Sequence, residues 1–579
     1  MFTVDEVLAK QYPRLSSNRF FEYSVKPLLR RLVREDDFAG FTRRYPHLQS
    51  IDFVEQILEH FSFSYTVSNR SLENIPATGR VMIIANHPIG SLDGLALLKL
   101  VHGIRSDVRI IANDLLMFVE PLRPCLLPVN NMGGRTGKNS LQEIVRSLHN
   151  EEAVIVFPAG EVSRLGPKGI RDGKWRKGFL SIATRTKAPI LPVHIKGRNS
   201  SGFYTASLLC RPLSTVMLIG EMFRQRQHQI AFTVGKIIPH ESYRGLQLSP
   251  MDKVKLFKKH VYRIGKGRSP VLRTESGIAR PERRSDLKKE LKRAEMLGST
   301  PDDKKIFLYN SSDTSPLIRE IGRLREITFR MVGEGSGSRR DVDRFDYYYN
   351  HLVLWDEEDL EIVGAYRFVD SIFAVEKYGL DGLYTNTLFS FDPEKHNFLD
   401  HGLELGRSFV QKRYWGKRSL DYLWYGIGVY LAKHPQYRYL FGPVSISNAM
   451  PAAARELLIY FYQLYFSPKH NHSCSKNPYR FFTPIHELAQ EFCGDNYKHD
   501  FKQLKLLLAN MGTSVPTLYK QYSQLCKPGG VYFLDFNIDP DFSNCVDGLV
   551  VVDLARLKKK KRKRYIEAAG NFACQAPVS

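Results

Sequence analysis

The sequence predicts two α/β domains in tandem, the first built on a mostly parallel sheet. Three observations carry that reading. Between residues 80 and 240, short β-branched runs alternate with segments of helical period. A stretch dense in lysine and arginine, 253–293, then breaks the rhythm. Beyond it a new pattern opens on a helix and a hairpin.

At 579 residues the chain is long enough for two large domains. Its 43% hydrophobic content is that of a folded globular protein. No run reaches the roughly 20 apolar residues of a membrane span. Lysine and arginine number 84 against 60 acidic residues, a formal charge of +24 that suits nucleic acid, an anionic leaflet or an acidic protein. Seven cysteines form no C-x-x-C pair, so reduced thiols are expected. The start, Met1-Phe2-Thr3-Val4-Asp5-Glu6, lacks the basic beginning and apolar core of a signal peptide, which predicts a cytoplasmic protein.

Residues 1–65 read as an amphipathic helical region. Phe20, Phe21, Tyr23 and Val25 interleave with Arg30, Arg31 and Arg34, as in a helix lying on a bilayer or one with a solvated basic face. Residues 66–250 form the first domain, with strands predicted at 81–85, 108–112, 153–157 and 189–195 and helical segments at 95–101, 141–148 and 179–184. The apolar segment 203–223 is split by Arg211 and Pro212 and reads as core or as an apolar contact surface. Residues 251–304 read as a basic linker with some helix that holds the domain boundary, with Arg280-Pro281-Glu282-Arg283-Arg284 breaking any regular element. The second domain, 305–555, is predicted to hold a helix at 315–329, a flexible run at 333–338 and a hairpin of 347–354 with 361–368. Strands at 403–410 and 439–445, helices at 419–432 and 452–466, and strands at 530–536 and 548–553 follow. Residues 556–579 read as a basic tail suited to anionic phospholipid.

The candidate chemistry of the first domain gathers where a strand ends in Asn86-His87-Pro88, the edge at which open α/β sheets keep their sites. Gly90 and Gly94 let the loop fold back, so Asp93 can fix one imidazole nitrogen and leave the other to take a proton from a hydroxyl. A glycine turn at 131–135 delivers Arg135. The block Phe157-Pro158-Ala159-Gly160-Glu161-Val162-Ser163-Arg164 can present Glu161, Ser163 and Arg164 at the same edge. In the second domain Glu404 and Arg407 sit within a strand, and Arg413-x-x-Gly416-x-Arg418 is a basic glycine loop before a helix, suited to phosphate. His470-Asn471-His472-Ser473-Cys474 has no second ligand cluster of matching spacing, so no metal is expected.

His87 to Asp93, Gly133-Gly134-Arg135, the 157–164 block and the proline-containing strand at 188–193 resemble, in order, the four blocks of the lysophosphatidic-acid acyltransferase superfamily over about 65–240. Two positions depart from that pattern. The His-to-Asp spacing is one residue longer, with Leu92 in the usual acid position, and Ala159 stands where glutamate is usual. The resemblance implies His87 as general base on a hydroxyl that attacks an acyl thioester, with Asp93 stabilising the imidazolium. It implies Arg135 and Arg164, with Glu161 and Ser163 beside them, as the headgroup contacts.

Leu324-Arg325, Asp343-x-Phe345-Asp346, His351, Gly364-Ala365-Tyr366-Arg367 and Glu404-x-Gly406-Arg407-Ser408 resemble the ornithine N-acyltransferases, relatives of acyl-homoserine lactone synthases, over 305–555. The 413–418 loop partly resembles the GNAT pyrophosphate loop, with Arg418 in place of a small residue. This implies a GNAT-like α/β domain in which an α-amine attacks a 3-hydroxyacyl thioester. Glu404 would accept a proton or position the amine, with Asp343 and Asp346 as the alternative readers of the substrate amines; Arg407 would contact phosphopantetheine or carboxylate, and Arg413, Gly416 and Arg418 would hold the phosphate.

Together the halves resemble the bifunctional ornithine lipid synthases. That implies ornithine and lyso-ornithine lipid as substrates and acyl carrier protein, itself acidic, as the donor for a basic enzyme. It further implies no bound metal or redox cofactor, no nucleic acid, and a place on the inner face of a bacterial inner membrane. The alternatives are a glycerophospholipid acyltransferase with a regulatory C-terminal half, an amino acid such as glycine or lysine, and a hemolysin-like membrane-binding protein.

Overall fold

The five residues Val81–Ala85 are wholly buried, and their side chains alternate between two apolar layers. Val81, Ile83 and Ala85 enter one layer, Met82 and Ile84 the other. A strand covered on both faces needs a continuous apolar run, which is what the sequence supplies. It is the middle strand of a seven-stranded sheet in the first of two units, Met1–Arg280 and Pro281–Ser579. The computed structural model describes residues 27, 30–31, 34–113, 116–129, 138–167, 169–209, 211–310, 313–391, 398–468 and 473–567.

The strands of this sheet are β1 (Ser64–Val67), β2 (Val81–Ala85), β3 (Val108–Asn113), β4 (Leu126–Val129), β5 (Ala153–Val156), β6 (Ile190–Lys196) and β7 (Gln229–Val234). Their order is β1-β7-β6-β2-β5-β3-β4, and every neighbouring pair is parallel except β6 with β7. The expected mostly parallel α/β sheet is therefore present. Helices Glu35–Arg44 and Ser50–His60 precede it, the second burying Phe53, Val54 and Leu58. Of the basic and aromatic pattern at 20–34, only Pro27, Arg30, Arg31 and Arg34 are among the described residues. The split apolar segment forms two helices, Ser201–Leu209 and Arg211–Arg224. Phe203 and Tyr204 pack there against Val162.

The segment 251–304 contains the division between the two units, but most of it is packed helix and strand, not connector. Helix Pro250–Ile264 buries Val254, Phe257 and Val261 in the first unit. Helix Arg284–Leu291 buries Leu287 and Leu291 in the second. The lysines and arginines that make the stretch look like a connector are the solvated faces of two amphipathic helices.

The second unit is built on β8 (Glu295–Ser299), β9 (Lys305–Tyr309), β10 (Asn350–Asp356), β11 (Glu361–Asp370), β12 (Gly402–Val410), β13 (Tyr439–Ile446), β14 (Val531–Asp539) and β15 (Cys545–Asp553). The order is β8-β9-β10-β11-β12-β13-β15-β14. All neighbours are antiparallel except β12 and β13, which run parallel and pair only at Gly402–Glu404 with Tyr439–Phe441. Past that point β12 stays with β11 and β13 with β15, so the sheet forks. Helix Pro316–Met331 packs on one face against Val353, Ala365 and Phe409; helix Ser419–Lys433 packs on the other against Leu352, Tyr366 and Phe368.

Residues 556–567 are not a free tail. Tyr565 is buried against Trp424 and Tyr425, and its hydroxyl donates to Asp421 at 2.9 Å. The basic run at 558–564 is the outer face of this docked segment. Gly428 makes the approach possible, because a Cβ there would stand 1.8 Å from the Tyr565 carbonyl oxygen. Gly428→Ala is expected to displace the segment at a cost of about 1–3 kcal/mol. Chemical denaturation reads the cost, and faster tryptic cleavage within 558–564 reads the displacement.

Candidate functional site

In the first unit the main chain around His87 is held before its side chain matters. Asn86, buried just past β2, continues the ladder to β6 through its amide: Oδ1 accepts from Ile195 N–H at 2.7 Å and Nδ2 donates to the Ile195 carbonyl at 2.9 Å. The His87 carbonyl accepts from Ser163 N–H at 2.7 Å, and His87 N–H donates to Asp172 Oδ1 at 3.1 Å. The imidazole stacks on Phe157, centroids 4.0 Å apart.

Nδ1 of His87 lies 3.1 and 3.2 Å from the two carboxylate oxygens of Asp93. Asp93 is fully buried in the first turn of helix Ser91–His102 and also accepts from the N–H groups of Ile89 and Gly90, at 3.0 and 3.1 Å. A carboxylate only accepts, so Nδ1 carries the hydrogen and Nε2 keeps its lone pair. No described residue hydrogen bonds to Nε2. The longer His-to-Asp spacing still closes. Leu92 turns into the core, and Gly90 takes φ +125°, a conformation that suits glycine. Burial opposes the imidazolium, but the charge and hydrogen bond of Asp93 and the charge of Asp172 outweigh it, so the His87 pKa is raised.

Asp172, which the sequence reading did not single out, organises the other side of the loop. It is 4% exposed and accepts from Ser163 Oγ at 2.6 Å and Trp175 Nε1 at 2.8 Å besides His87 N–H. Burial pushes its carboxyl up against the pull of those donors. The one signal in the sequence is Trp175, three residues on, whose indole N–H needs an acceptor when buried.

The remaining predicted residues of this unit are placed differently from expectation. Ser163, 1% exposed, spends its N–H on His87 and its hydroxyl on Asp172, and so positions the loop. Glu161 is exposed and pairs with Arg164 at 3.1 Å, while Arg164 also donates to Ser207. Arg164 is thus already compensated. The Arg176 guanidinium lies over the bare backbone of Gly160, 3.5 Å from where a Cβ would stand. Arg135 lies outside the described residues.

In the second unit, three arginines and three aspartates form a buried network beside the fork. Arg325 contacts Asp346 through both terminal nitrogens, at 3.0 and 2.8 Å, and Asp341 through Nε at 2.7 Å. Arg367 clasps Asp343 at 2.6 and 2.8 Å and reaches Asp346 at 2.9 Å. Although burial favours the neutral acid, Arg325 and Arg367 hold Asp346 well below the ordinary carboxylate range. Asp343 and Asp346 are therefore engaged by protein cations, Asp346 buried and Asp343 with 26% of its side chain exposed. His351, in the same cluster, is lowered to about 4 by burial and donates through Nε2 to the Asp346 carbonyl at 3.0 Å.

Glu404 is buried at the vertex of the fork and is not placed as an open base. It accepts from the Tyr349 hydroxyl, from Tyr384 N–H at 3.1 Å and from Thr385 N–H at 2.5 Å. It staples the start of the short helix Thr385–Leu388. Arg407 lies just past the vertex. It adopts φ +52° where two residues of β12 oppose one of β11, a bulge that takes main-chain groups out of the ladder. Its guanidinium packs between Tyr384 and Phe542, 4.7 and 4.6 Å from the ring centres, and reaches Asp341 at 3.3 Å. Facing it are carboxylates that sequence reasoning passed over: Asp547, which accepts from Ser445 Oγ at 2.6 Å, Asp539, and Glu334.

The predicted phosphate loop is partly neutralised. Arg413 pairs with Asp359 and with Glu361 at 3.0 Å, and Arg418 pairs with Asp421 at 3.4 Å. Gly416, at φ +75°, makes the turn, and helix Ser419–Lys433 begins without a side-chain cap. His470 and His472 lie outside the described residues. Cys493, His499 and Asp500 bring three donor atoms within 4.8 Å of one another, although Asp500 already accepts from Tyr465 at 2.6 Å and Gly494 N–H at 2.9 Å.

Residues 6–263 match the family described as Acyltransferase, and residues 324–425 match the Acetyltransferase (GNAT) domain. The protein is thus an enzyme that transfers acyl groups, with an acyltransferase domain followed by a GNAT domain. It is 29% identical over 303 residues to a glycine N(alpha)-acyltransferase of Bacteroides thetaiotaomicron, spanning 50% of this chain and 89% of that one. A lyso-glycine lipid O-acyltransferase of the same organism is 29% identical over 272 residues, 46% of this chain and 97% of the relative. An L-ornithine N(alpha)-acyltransferase of Brucella abortus is 32% identical over 147 residues, 23% of this chain and 51% of the relative.

Three outcomes are expected from the geometry. Replacing His87 by Ala should cut acyl transfer to a hydroxyl by about 10²–10⁴-fold, the range of a lost general base. In the wild type that rate should rise with pH through an apparent value above the ordinary 6.5, since the neutral imidazole is the working form and its pKa is raised. Arg367→Met leaves Asp343 and Asp346 short of a cation and should destabilise the second unit by about 3–5 kcal/mol in denaturant titrations.

Proposed function

We propose that this enzyme builds an amino-acid lipid by two successive acyl transfers. In the GNAT domain the α-amine of an amino acid attacks the thioester of a 3-hydroxyacyl carrier protein. In the acyltransferase domain His87 takes the proton of the product's 3-hydroxyl as that oxygen attacks a second acyl thioester, and Asp93 stabilises the imidazolium. The observation that carries the reading is the presence in one chain of two geometries suited to different nucleophiles. A His–Asp pair with an open Nε2 suits a hydroxyl, which must lose its proton as it attacks. A forked sheet with a bulged strand and an arginine at its vertex suits a thioester donor and an amino-acid acceptor, the bulge offering main-chain N–H to the developing oxyanion.

The relatives support two half-reactions, since one named for N-acylation and one named for O-acylation each align with about half of this chain. Ornithine is the acceptor proposed first, because the carboxylates facing Arg407 suit an amino acid with a second amine. Glycine is the second reading, favoured by the longer alignment with the glycine-named relative. The donor proposed is acyl carrier protein, an acidic partner for a chain of formal charge +24, with its phosphopantetheine phosphate at the uncapped start of helix Ser419–Lys433. No described helix is long and apolar enough to cross a membrane, and we place the enzyme on the inner face of a bacterial inner membrane through its basic surface.

Lipid mass spectrometry of a bacterium lacking aminolipids tests the scheme. Wild type should yield a diacylated amino-acid lipid, and His87→Ala its monoacylated precursor. A change in phospholipid acyl chains with no new aminolipid would reverse the conclusion in favour of glycerophospholipid acylation.

A further inference from the structure

The glycine-serine run 333–338 reads in sequence as a mobile loop, yet it is held at every turn. Helix Pro316–Met331 ends, and the chain bends through Gly333 at φ +79° and Gly335 at φ +123°, with Glu334 between them. The Ser447 hydroxyl donates to the Val332 carbonyl, and Ser543 Oγ to the Gly335 carbonyl at 2.9 Å. A Cβ on Gly333 would come within 2.8 Å of Ala449 and Ser447 side-chain atoms. Buried Glu326 receives the N–H groups of Ser336 and Gly337 at 3.1 and 2.9 Å. The run is a bracket, and what it presents is the side chain of Glu334.

The anchors at Ser447, just past β13, and at Ser543, just before β15, hold Glu334 beside the open part of the fork. Arg407 of β12 and Asp547 of β15 act on its carboxylate, with Asp539 at the end of β14 and the Cys545 thiol nearby. Asp547 is turned toward Ser445 and Asp539 toward the Tyr384 hydroxyl at 3.4 Å, while the positive charge of Arg407 is shared with Asp341 at 3.3 Å. No described residue hydrogen bonds to the Glu334 carboxylate. The open part of the fork thus holds an acid without a donor of its own beside the arginine, whereas Glu404 at the vertex is saturated.

We infer that Glu334 binds the ammonium group of the acceptor amino acid and takes its proton, which opens the attack on the thioester. The assignment rests on the N-acyl transfer proposed above. The ammonium gives one proton to the carboxylate, and the freed nitrogen pair forms the bond to the thioester carbon. As the tetrahedral adduct collapses, the C–S bond breaks and the thiolate leaves with the remaining surplus N–H proton, giving amide and thiol. Burial and the Asp547 charge push Glu334 up to about 8, against the pull of Arg407, and burial pushes Asp547 up to about 6. An acid so raised is matched to an amine and is drawn toward its charged form when a cation arrives.

The full-length enzyme is to be assayed with a 3-hydroxyacyl carrier protein and either glycine or ornithine, the N-acyl product being quantified by mass spectrometry from pH 6 to 9.5. Glu334→Gln is expected to lower kcat about 100-fold and to abolish the rise in rate with pH seen in wild type, while Glu334→Asp keeps part of both. Thermal melts supply a reading independent of activity. The folded-state pKa lies above the ordinary 4.5 of a glutamate, so stability present at low pH is lost as pH climbs through about 8, and Glu334→Gln should lose less Tm than wild type between pH 5 and 9. Wild type active and Glu334→Gln equally active, with the same pH profile, overturns the assignment alone. Wild type forming no amide with either acceptor overturns the N-acyl reading and the assignment with it.

Discussion

Both sites depend on buried carboxylates that accept main-chain N–H groups. A loop that leaves a sheet carries donors that neither the ladder nor water satisfies, and each left unpaired in the interior costs on the order of 1–3 kcal/mol. Asp93 and Asp172 collect such donors around His87, and Glu404 and Glu326 collect them around the fork. A carboxylate with two oxygens can bind several N–H groups at once, and its charge makes each bond stronger than a neutral one. Loops of irregular conformation are thereby held as firmly as strands.

The two units apply this device to different ends. In the first, Asp93 does double duty: the oxygens that cap the helix start also fix the imidazole tautomer, so loop shape and base strength are set by one group. In the second, the anchoring acids and the chemistry are separated. Glu404 and Asp346 are consumed in building the vertex, and the arginines that compensate Asp346 keep the surrounding charge fixed. An acid meant to exchange a proton has to be one that the scaffold leaves uncommitted.

How much of this was legible in the sequence follows from what each residue type reports. The buried strand 81–85 and the helix 452–466 were read to the residue, because apolar period and flanking prolines or polar residues mark both ends. The pairing of His87 with Asp93 was visible as a spacing on a strand-loop-helix. The packing of the helices inside 251–304 and of the docked 556–567 segment was not, since lysine density reports a solvated surface whether or not its other side is packed. Glu404 was singled out as an acid in a strand, but type and position cannot tell a saturated carboxylate from an open one. The same limit hid Asp172 and Glu334, whose partners lie far away in the chain. The glycine-serine composition of 333–338 points to flexibility only until the serines and Glu326 that hold it are seen.

The fork has a further consequence for the dynamics of the second unit. Gly402–Glu404 and Tyr439–Phe441 are the whole of the pairing between β12 and β13, and Gly442 sits where a Cβ would fall 2.0 Å from the Leu405 carbonyl oxygen. Beyond the vertex, the facing edges of both strands carry amides that no ladder protects. Amide exchange should therefore be fastest along the very seam where a ligand's main-chain-like groups would enter, and occupancy would close it as an added strand closes a sheet. The least cohesive line through the sheet is also the one along which we propose that the acceptor enters.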